Sequence, residues 1–223
     1  MQPTIRQRLS AIRQSLPEYV QLVAVSKYHT AEQIAEAYAA GCRDFGESRV
    51  QELKLKQAVL PQDIRWHFIG HLQTNKVREL LRLRPYLIQS VDSEHLLKAI
   101  NAEAEKQGFV QDVLLELHVA REQTKSGLSI DEFHEIIDQI ANYSHVHVRG
   151  LMAMATNTDD EQEIRRCFHL TASIARSLTG TAGLPSNSAA IISMGMSDDY
   201  KIAISEGSTM VRIGSDIFGE RTL

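Results

Sequence analysis

Lys27 closes the apolar run Leu22-Val23-Ala24-Val25-Ser26, which places a primary amine at the mouth of a sheet or barrel. Partly desolvated there, an amine holds its proton less tightly and becomes a nucleophile toward an aldehyde. Taken alone, a strand-end lysine reaching into water is the commoner arrangement. Two later segments carry residues suited to an anion. Ser193-Met194-Gly195-Met196-Ser197 combines hydroxyls with a glycine that admits close backbone approach, and Gly214-Ser215 offers a second cradle. Tight strand-to-helix turns use the same residue types, so these segments gain meaning only beside Lys27. Arg212 ends the last apolar run. In a closed barrel it would neighbour the first strand and therefore Lys27. A guanidinium there could face a ring nitrogen and keep it unprotonated, with an acidic neighbour or a phosphate as plainer partners.

The elements that must position these residues alternate along the chain. Strands are expected at 22–25, 43–46, 65–69, 86–91, 113–119, 146–152, 189–193 and 209–213. Helices are expected at 4–15, 31–40, 47–59, 75–83, 93–107, 130–142, 160–178 and 198–206. Thr30 with Gln33 forms a capping box, Gly41 and Gly108 stop helices, and Ser197 or Asp198 is placed to cap the helix at 198. Eight strands alternating with helices is the count of an α/β fold of the (β/α)8 TIM-barrel kind, here with an additional N-terminal helix. An open doubly wound sheet shares the alternation. No repeat or Pro/Gly-rich linker divides residues 1–223, which read as a single domain with its loosest loop at 179–188.

In such barrels the working residues sit at the C-terminal ends of strands. Lys27, Glu47-Ser48, His67, Gly70-His71, Asp92, His118 and the two anion-suited segments all fall there. His67 and His71 are four apart, but Gly70 intervenes and the second position is not Glu, so they do not make a helical His-Glu-x-x-His metal site. Cys42 and Cys167 are the only cysteines, far apart, which argues against a disulfide framework or a zinc site and for a reduced, cytoplasmic setting. A net charge of -4 and a pI near 6.1 disfavour general nucleic-acid binding. No apolar run suits a membrane span, and Met1-Gln2-Pro3-Thr4-Ile5-Arg6 lacks the core of a secretory signal.

A lysine and a phosphate cradle on one rim point to pyridoxal 5'-phosphate (PLP), which needs both an aldehyde-capturing amine and an anion site. The motifs agree. Ala24-Val25-Ser26-Lys27, Phe45-Gly46-Glu47-Ser48-Arg49-Val50-Gln51-Glu52, Trp66-His67-Phe68-Ile69-Gly70-His71-Leu72-Gln73-Thr74-Asn75-Lys76 and Gly150-Leu151-Met152-Ala153-Met154 resemble the pyridoxal phosphate homeostasis protein family. So do Ser193-Met194-Gly195-Met196-Ser197-Asp198-Asp199 and Gly207-Ser208-Thr209-Met210-Val211-Arg212-Ile213-Gly214. The resemblance covers nearly the whole chain. It implies a fold-type-III barrel like the N-terminal domain of alanine racemase, with PLP as a Schiff base on Lys27. It further implies phosphate held around Ser193, Gly195, Met196 and Gly214, and Arg212 at the pyridine nitrogen. The chain departs from the family at Ser48, where Asn is common, and at Tyr28, where Thr is common.

The family implies no catalytic turnover but a part in vitamin B6 and amino-acid balance, so no catalytic residue and no metal are expected. Partners would be PLP itself and apo PLP-dependent enzymes or regulatory proteins. A racemase needs an acid/base group opposite the lysine, delivered with help from a second β-domain; this chain ends at Leu223, soon after the eighth strand, so a monomer is expected. Tyr28 is a poor substitute, because neighbouring strand residues point to opposite sides. The alternative is a small fold-type-III PLP enzyme, an amino-acid racemase or decarboxylase with an open site.

Overall fold

Residues 3–122, 126–178 and 190–219 are described by the structure, a computed structural model. Eight strands pair in parallel, each with the next: β1 (Gln21–Val25), β2 (Asp44–Glu47), β3 (Arg65–Phe68), β4 (Leu87–Val91), β5 (Gln111–Leu117), β6 (Val146–Ala153), β7 (Ile191–Ser193) and β8 (Met210–Ile213). β8 returns to β1, setting Val23 beside Arg212, and the sheet closes as a (β/α)8 barrel. The helices are α1 (Ile5–Ser15), α2 (Ala31–Ala39), α3 (Val50–Gln57), α4 (Thr74–Arg82), α5 (Glu94–Gln107), α6 (Ile130–Asp138), α7 (Glu161–Ser177), α8 (Tyr200–Ser205) and α9 (Ser215–Phe218). α1, α2 and α6 open on full capping boxes at Thr4, Thr30 and Ser129, each satisfying orphan N–H groups at the helix start. Gly108 ends α5 in the left-handed conformation at φ 70°.

Several boundaries move from the sequence expectation, each for a packing reason. β2 runs through Glu47, which pairs with Phe68 and buries its carboxylate, so α3 starts only at Val50. β5 starts early because Gln111 pairs with Val146 and its amide donates to the Pro85 carbonyl at 3.1 Å. It ends at Leu117 because the His118 N–H turns to the Leu128 carbonyl. The helix expected at 130–142 breaks after Asp138 into a 3-10 turn, Ile140–Asn142. The loop at 179–188 and position 189 lie outside the described residues.

Two apolar cores result. The larger fills the space between barrel and helices, with Ile34, Leu53, Leu80, Leu97, Ile100 and Phe168 fully buried. The smaller plugs the barrel interior with Val23, Leu87, Leu114, Met152 and Met210. Layers of inward side chains are what make such a barrel a packed core and leave its C-terminal mouth to carry the site.

Gly150 lets β6 and β7 approach closely. Gly150 on β6 has φ 149°, and a Cβ added there would lie 2.0 Å from the Ile191 carbonyl oxygen of β7. Gly150→Ala should therefore cost about 3 kcal/mol, from backbone strain and overpacking together. Gly108→Ala, with nothing within 4 Å of the added atom, should cost about 1 kcal/mol from the left-handed conformation alone. Urea unfolding of both variants checks the ranking; equal losses would contradict this account of the β6–β7 contact.

Candidate functional site

A cavity of about 480 Å³ opens at the C-terminal mouth of the barrel, and Lys27, His29, Met196, Ser197, Arg212 and Gly214 are among its walls. Lys27, Met196, Arg212 and Gly214, four of the residues singled out in the sequence, are thus brought together. Lys27 follows the end of β1 and is half-buried. Ser193 and Gly195 do not line this cavity; they stand behind it. Ser193 is fully buried and its hydroxyl is committed to Arg212 and Gln89. Gly195 has φ 95°, and a Cβ there would lie 2.6 Å from the Ala203 Cβ, so the glycine lets the β7–α8 loop lie against α8.

The loop is braced from within. Asp199, rather than Ser197 or Asp198, is the residue preceding α8, and its Oδ1 accepts the Met196 N–H at 2.6 Å. That bond secures the loop and leaves α8 without a side-chain cap. Ser215 Oγ donates to Ser197 Oγ at 3.0 Å, joining the loops that follow β7 and β8. Among the described residues, nothing in the protein takes the N–H groups of Ser197, Gly214 and Ser215, so they remain available to an anion.

Arg212 is 4% exposed. Its Nη1 donates to the Ser193 carbonyl at 2.8 Å and to Ser193 Oγ at 2.7 Å, and its Nη2 to the Ala153 carbonyl at 3.1 Å. Those bonds leave part of the five-donor fork for whatever enters the cavity. Burial pulls the guanidinium down to about 10, against the attraction of Glu116 and Asp199, so it stays charged at neutral pH. Behind it a polar path crosses the barrel: Ser193 Oγ donates to Gln89 Oε1 at 2.7 Å, and the Gln89 amide meets His67 Nδ1 at 2.9 Å. His67 Nε2 meets Asp44 Oδ1 at 3.1 Å, and Arg65 grips both oxygens of that carboxylate, Nε on Oδ1 and Nη2 on Oδ2.

A second polar cluster pins the backbone on either side of Lys27. Buried Lys56, reaching in from α3, donates to the Ser26 carbonyl at 2.8 Å, to Glu47 Oε1 at 2.7 Å and to Glu52 Oε2 at 3.2 Å. Ser26 Oγ donates to Glu47 Oε1, and Glu52 Oε2 accepts the Tyr28 N–H at 3.0 Å. Burial pushes the Glu47 carboxyl up, with Lys56 opposing it. Tyr28 adopts φ 68° and is exposed. It has left the strand, so its distance from the cavity follows from this turn and not from alternation along β1. Ser48 does not line the cavity either.

The sequence pointed to none of Gln89, Asp44, Lys56 and Glu52 as supports of the site, and placed His67 at a strand end with no role beyond failing the pattern of a helical metal site. Gln89 could have been found as a polar residue interrupting an apolar strand; Lys56, on an otherwise ordinary charged helix, offers no such signal. His71 pairs with Asp92 at 3.0 Å on the rim. Arg78 and Arg82 are exposed on α4, and Arg84, just beyond it, lies 3.7 Å over the Phe109 ring. Among the described residues no cluster of His, Cys, Asp or Glu is placed to hold a metal, and no helix is long and apolar enough to cross a membrane.

Comparison with known proteins gives a consistent picture. The family model for the alanine racemase N-terminal domain matches residues 2–222. The pyridoxal phosphate homeostasis protein of Helicobacter pylori is 39% identical over 203 residues, covering 90% of this chain and 88% of its own. PipY of Synechococcus elongatus, solved with PLP bound, is 36% identical and covers 97% of this chain and 100% of its own, with a TM-score of 0.88. Alanine racemase of Corynebacterium glutamicum shares the fold at a TM-score of 0.75 but only 17% identity, over 98% of this chain and 61% of its own.

The floor of the polar path has a pH signature of its own. Burial alone would raise the Asp44 carboxyl, but hydrogen bonds from Arg65 and His67 outweigh it and hold the group at about 2. A depressed carboxyl stabilises the fold above its unfolded value near 4 and loses that contribution as pH falls toward the folded value. Acid titration of stability should show about 2 kcal/mol lost between roughly pH 4 and pH 2 in the wild type and not in Asp44→Asn. Parallel acid profiles would contradict the assignment.

Proposed function

Because the chain belongs to the alanine racemase N-terminal domain family, and within it to the pyridoxal phosphate homeostasis proteins, we propose that it binds PLP as a Schiff base on Lys27 and serves as a non-catalytic carrier in vitamin B6 balance. The observation that carries this reading is the shared cavity: Lys27 and Arg212 line one hollow of about 480 Å³ together with Met196 and Gly214. When bound, PLP supplies an aldehyde that condenses with an amine and a pyridine ring that withdraws electrons from the carbon so attached.

The residues present fit that group. Lys27 presents the amine, its backbone held from both sides by Lys56 and Glu52. Arg212, an obligate donor with N–H groups left over from Ser193 and Ala153, would hold the ring nitrogen and keep it unprotonated. The free N–H groups of Ser197, Gly214 and Ser215 suit the phosphate, with Met196 and Gly214 shaping the two loops that carry them. Gly195 seats the first loop on α8, and Ser193 steadies Arg212 from behind.

Two features favour holding PLP over transforming a substrate with it. An arginine at the ring nitrogen makes the ring a weaker electron sink than a carboxylate would. Among the described residues no tyrosine lines the cavity, and a tyrosine opposite the lysine is the acid/base group of the racemases. The reading extends to one PLP-binding domain over residues 1–223, a monomer working in the cytoplasm and passing PLP to apo-enzymes or regulatory proteins. A small racemase or decarboxylase is the second reading, and His29 on the cavity wall favours it.

The purified protein should take up PLP and turn yellow, and Lys27→Ala should emerge from gel filtration colourless. An unchanged absorption band in that variant would remove Lys27 from the role. Incubated with single amino acids, the loaded protein should change neither their chirality nor their carbon dioxide release beyond free PLP. Sustained turnover would move the assignment to an enzyme.

A further inference from the structure

We propose that Asp44, His67 and Gln89 are positioning residues that fix Arg212 through a hydrogen-bond chain in which every donor points the same way. The inference rests on the reading of Arg212 as the group that meets the cofactor ring, and its geometry stands apart from any ligand. One residue comes from each of five strands: Arg212 from β8, Ser193 from β7, Gln89 from β4, His67 from β3 and Asp44 from β2. The Gln89–Ser193 link crosses the barrel interior, joining strands that are not neighbours in the sheet.

The two ends dictate all the protons between them. A guanidinium can only donate, so Ser193 Oγ accepts from Arg212 at 2.7 Å and must spend its single proton on Gln89 Oε1 at 2.7 Å. That fixes the orientation of the amide, whose Nε2 then faces His67 Nδ1 at 2.9 Å and the Met210 sulfur at 3.3 Å. Nε2 of an amide is a donor, so His67 Nδ1 must be the bare acceptor and the imidazole proton must sit on Nε2. There it meets Asp44 Oδ1 at 3.1 Å, and an ionised carboxylate can only accept. Asp44 is kept ionised by Arg65 and by the Gln21 amide, which donates to Oδ1 at 2.8 Å. Full burial of His67 independently disfavours its charged form.

No member can reverse alone. A proton on His67 Nδ1 would face the Gln89 NH2 group, and flipping the amide to receive it would take the acceptor away from Ser193. Ser193 Oγ would lose its outlet, and with it the orientation in which it receives Arg212. The side chains of β2, β3 and β4 thereby set the angle of a guanidinium on the far side of the barrel.

Two measurements on the full chain test this. In the ligand-free wild type at pH 7, 15N NMR of the histidines should find His67 with a bare Nδ1 and a protonated Nε2; an Nδ1–H tautomer or an imidazolium would overturn the chain whatever the protein binds. In Gln89→Leu the 15N resonances of the Arg212 side chain should shift or broaden, and PLP should be lost about 10-fold faster, the scale of one hydrogen bond to a charged group, with the Lys27 absorption band still forming. Wild-type Arg212 resonances and a wild-type loss rate would overturn the positioning role. Should Gln89→Leu fail to fold, the wild-type tautomer still decides. A wild type that takes up no PLP would defeat the proposed function and the cofactor-facing role, while the resonances continue to judge the chain.

Discussion

A guanidinium buried inside the barrel is the constraint on which the rest of the upper structure depends. A charge removed from water is tolerated only where its hydrogen bonds are met and opposite charge lies near. Arg212 meets both conditions with groups from across the sheet: carbonyls of Ser193 and Ala153, the Ser193 hydroxyl, and the field of Glu116 and Asp199. Each of those solutions creates a further demand. Ser193 needs an acceptor, Gln89 supplies it, and the demand passes through His67 until it ends on Asp44 and the partly exposed Arg65 at the opposite floor. The apolar plug of Val23, Leu87, Leu114, Met152 and Met210 surrounds this path and keeps water from satisfying it more cheaply.

The lysine side of the cavity is built on a separate principle. There the charged groups surround the backbone rather than the functional side chain. Lys56 and Glu52 take the carbonyl before Lys27 and the N–H after it, and the left-handed Tyr28 turns the chain away at once. The backbone on either side of Lys27 is thus held in place, whereas Arg212 is held at its guanidinium.

Much of this was legible in the sequence where local rules apply. The alternation of strands and helices, the capping box at Thr30, the Gly108 stop and the amine after Ser26 all depend on neighbours within a few residues. Counting eight strands pointed to a barrel but left an open doubly wound sheet possible until the β8–β1 pairing closed it. Glu47 was misplaced onto a helix because its partner, Lys56, is buried only once α3 packs on the barrel. The polar chain stayed hidden for a related reason. Which strand residues face inward at one level depends on the stagger between strands, and Gln89 and Ser193 meet across the interior although they are 104 positions apart in sequence. Arg212 was found because it lies at a strand exit, but its supports lie deeper, where sequence offers only an out-of-place Gln or His.

The central claim is that the barrel mouth is a PLP seat anchored on Lys27. Its most direct test is borohydride reduction of the PLP-loaded protein followed by peptide mapping by mass spectrometry. The account predicts the phosphopyridoxyl mass on the peptide containing Lys27 and its loss from that peptide when excess competing amine is present during loading. The label on another lysine, with the Lys27 peptide unmodified, would contradict it.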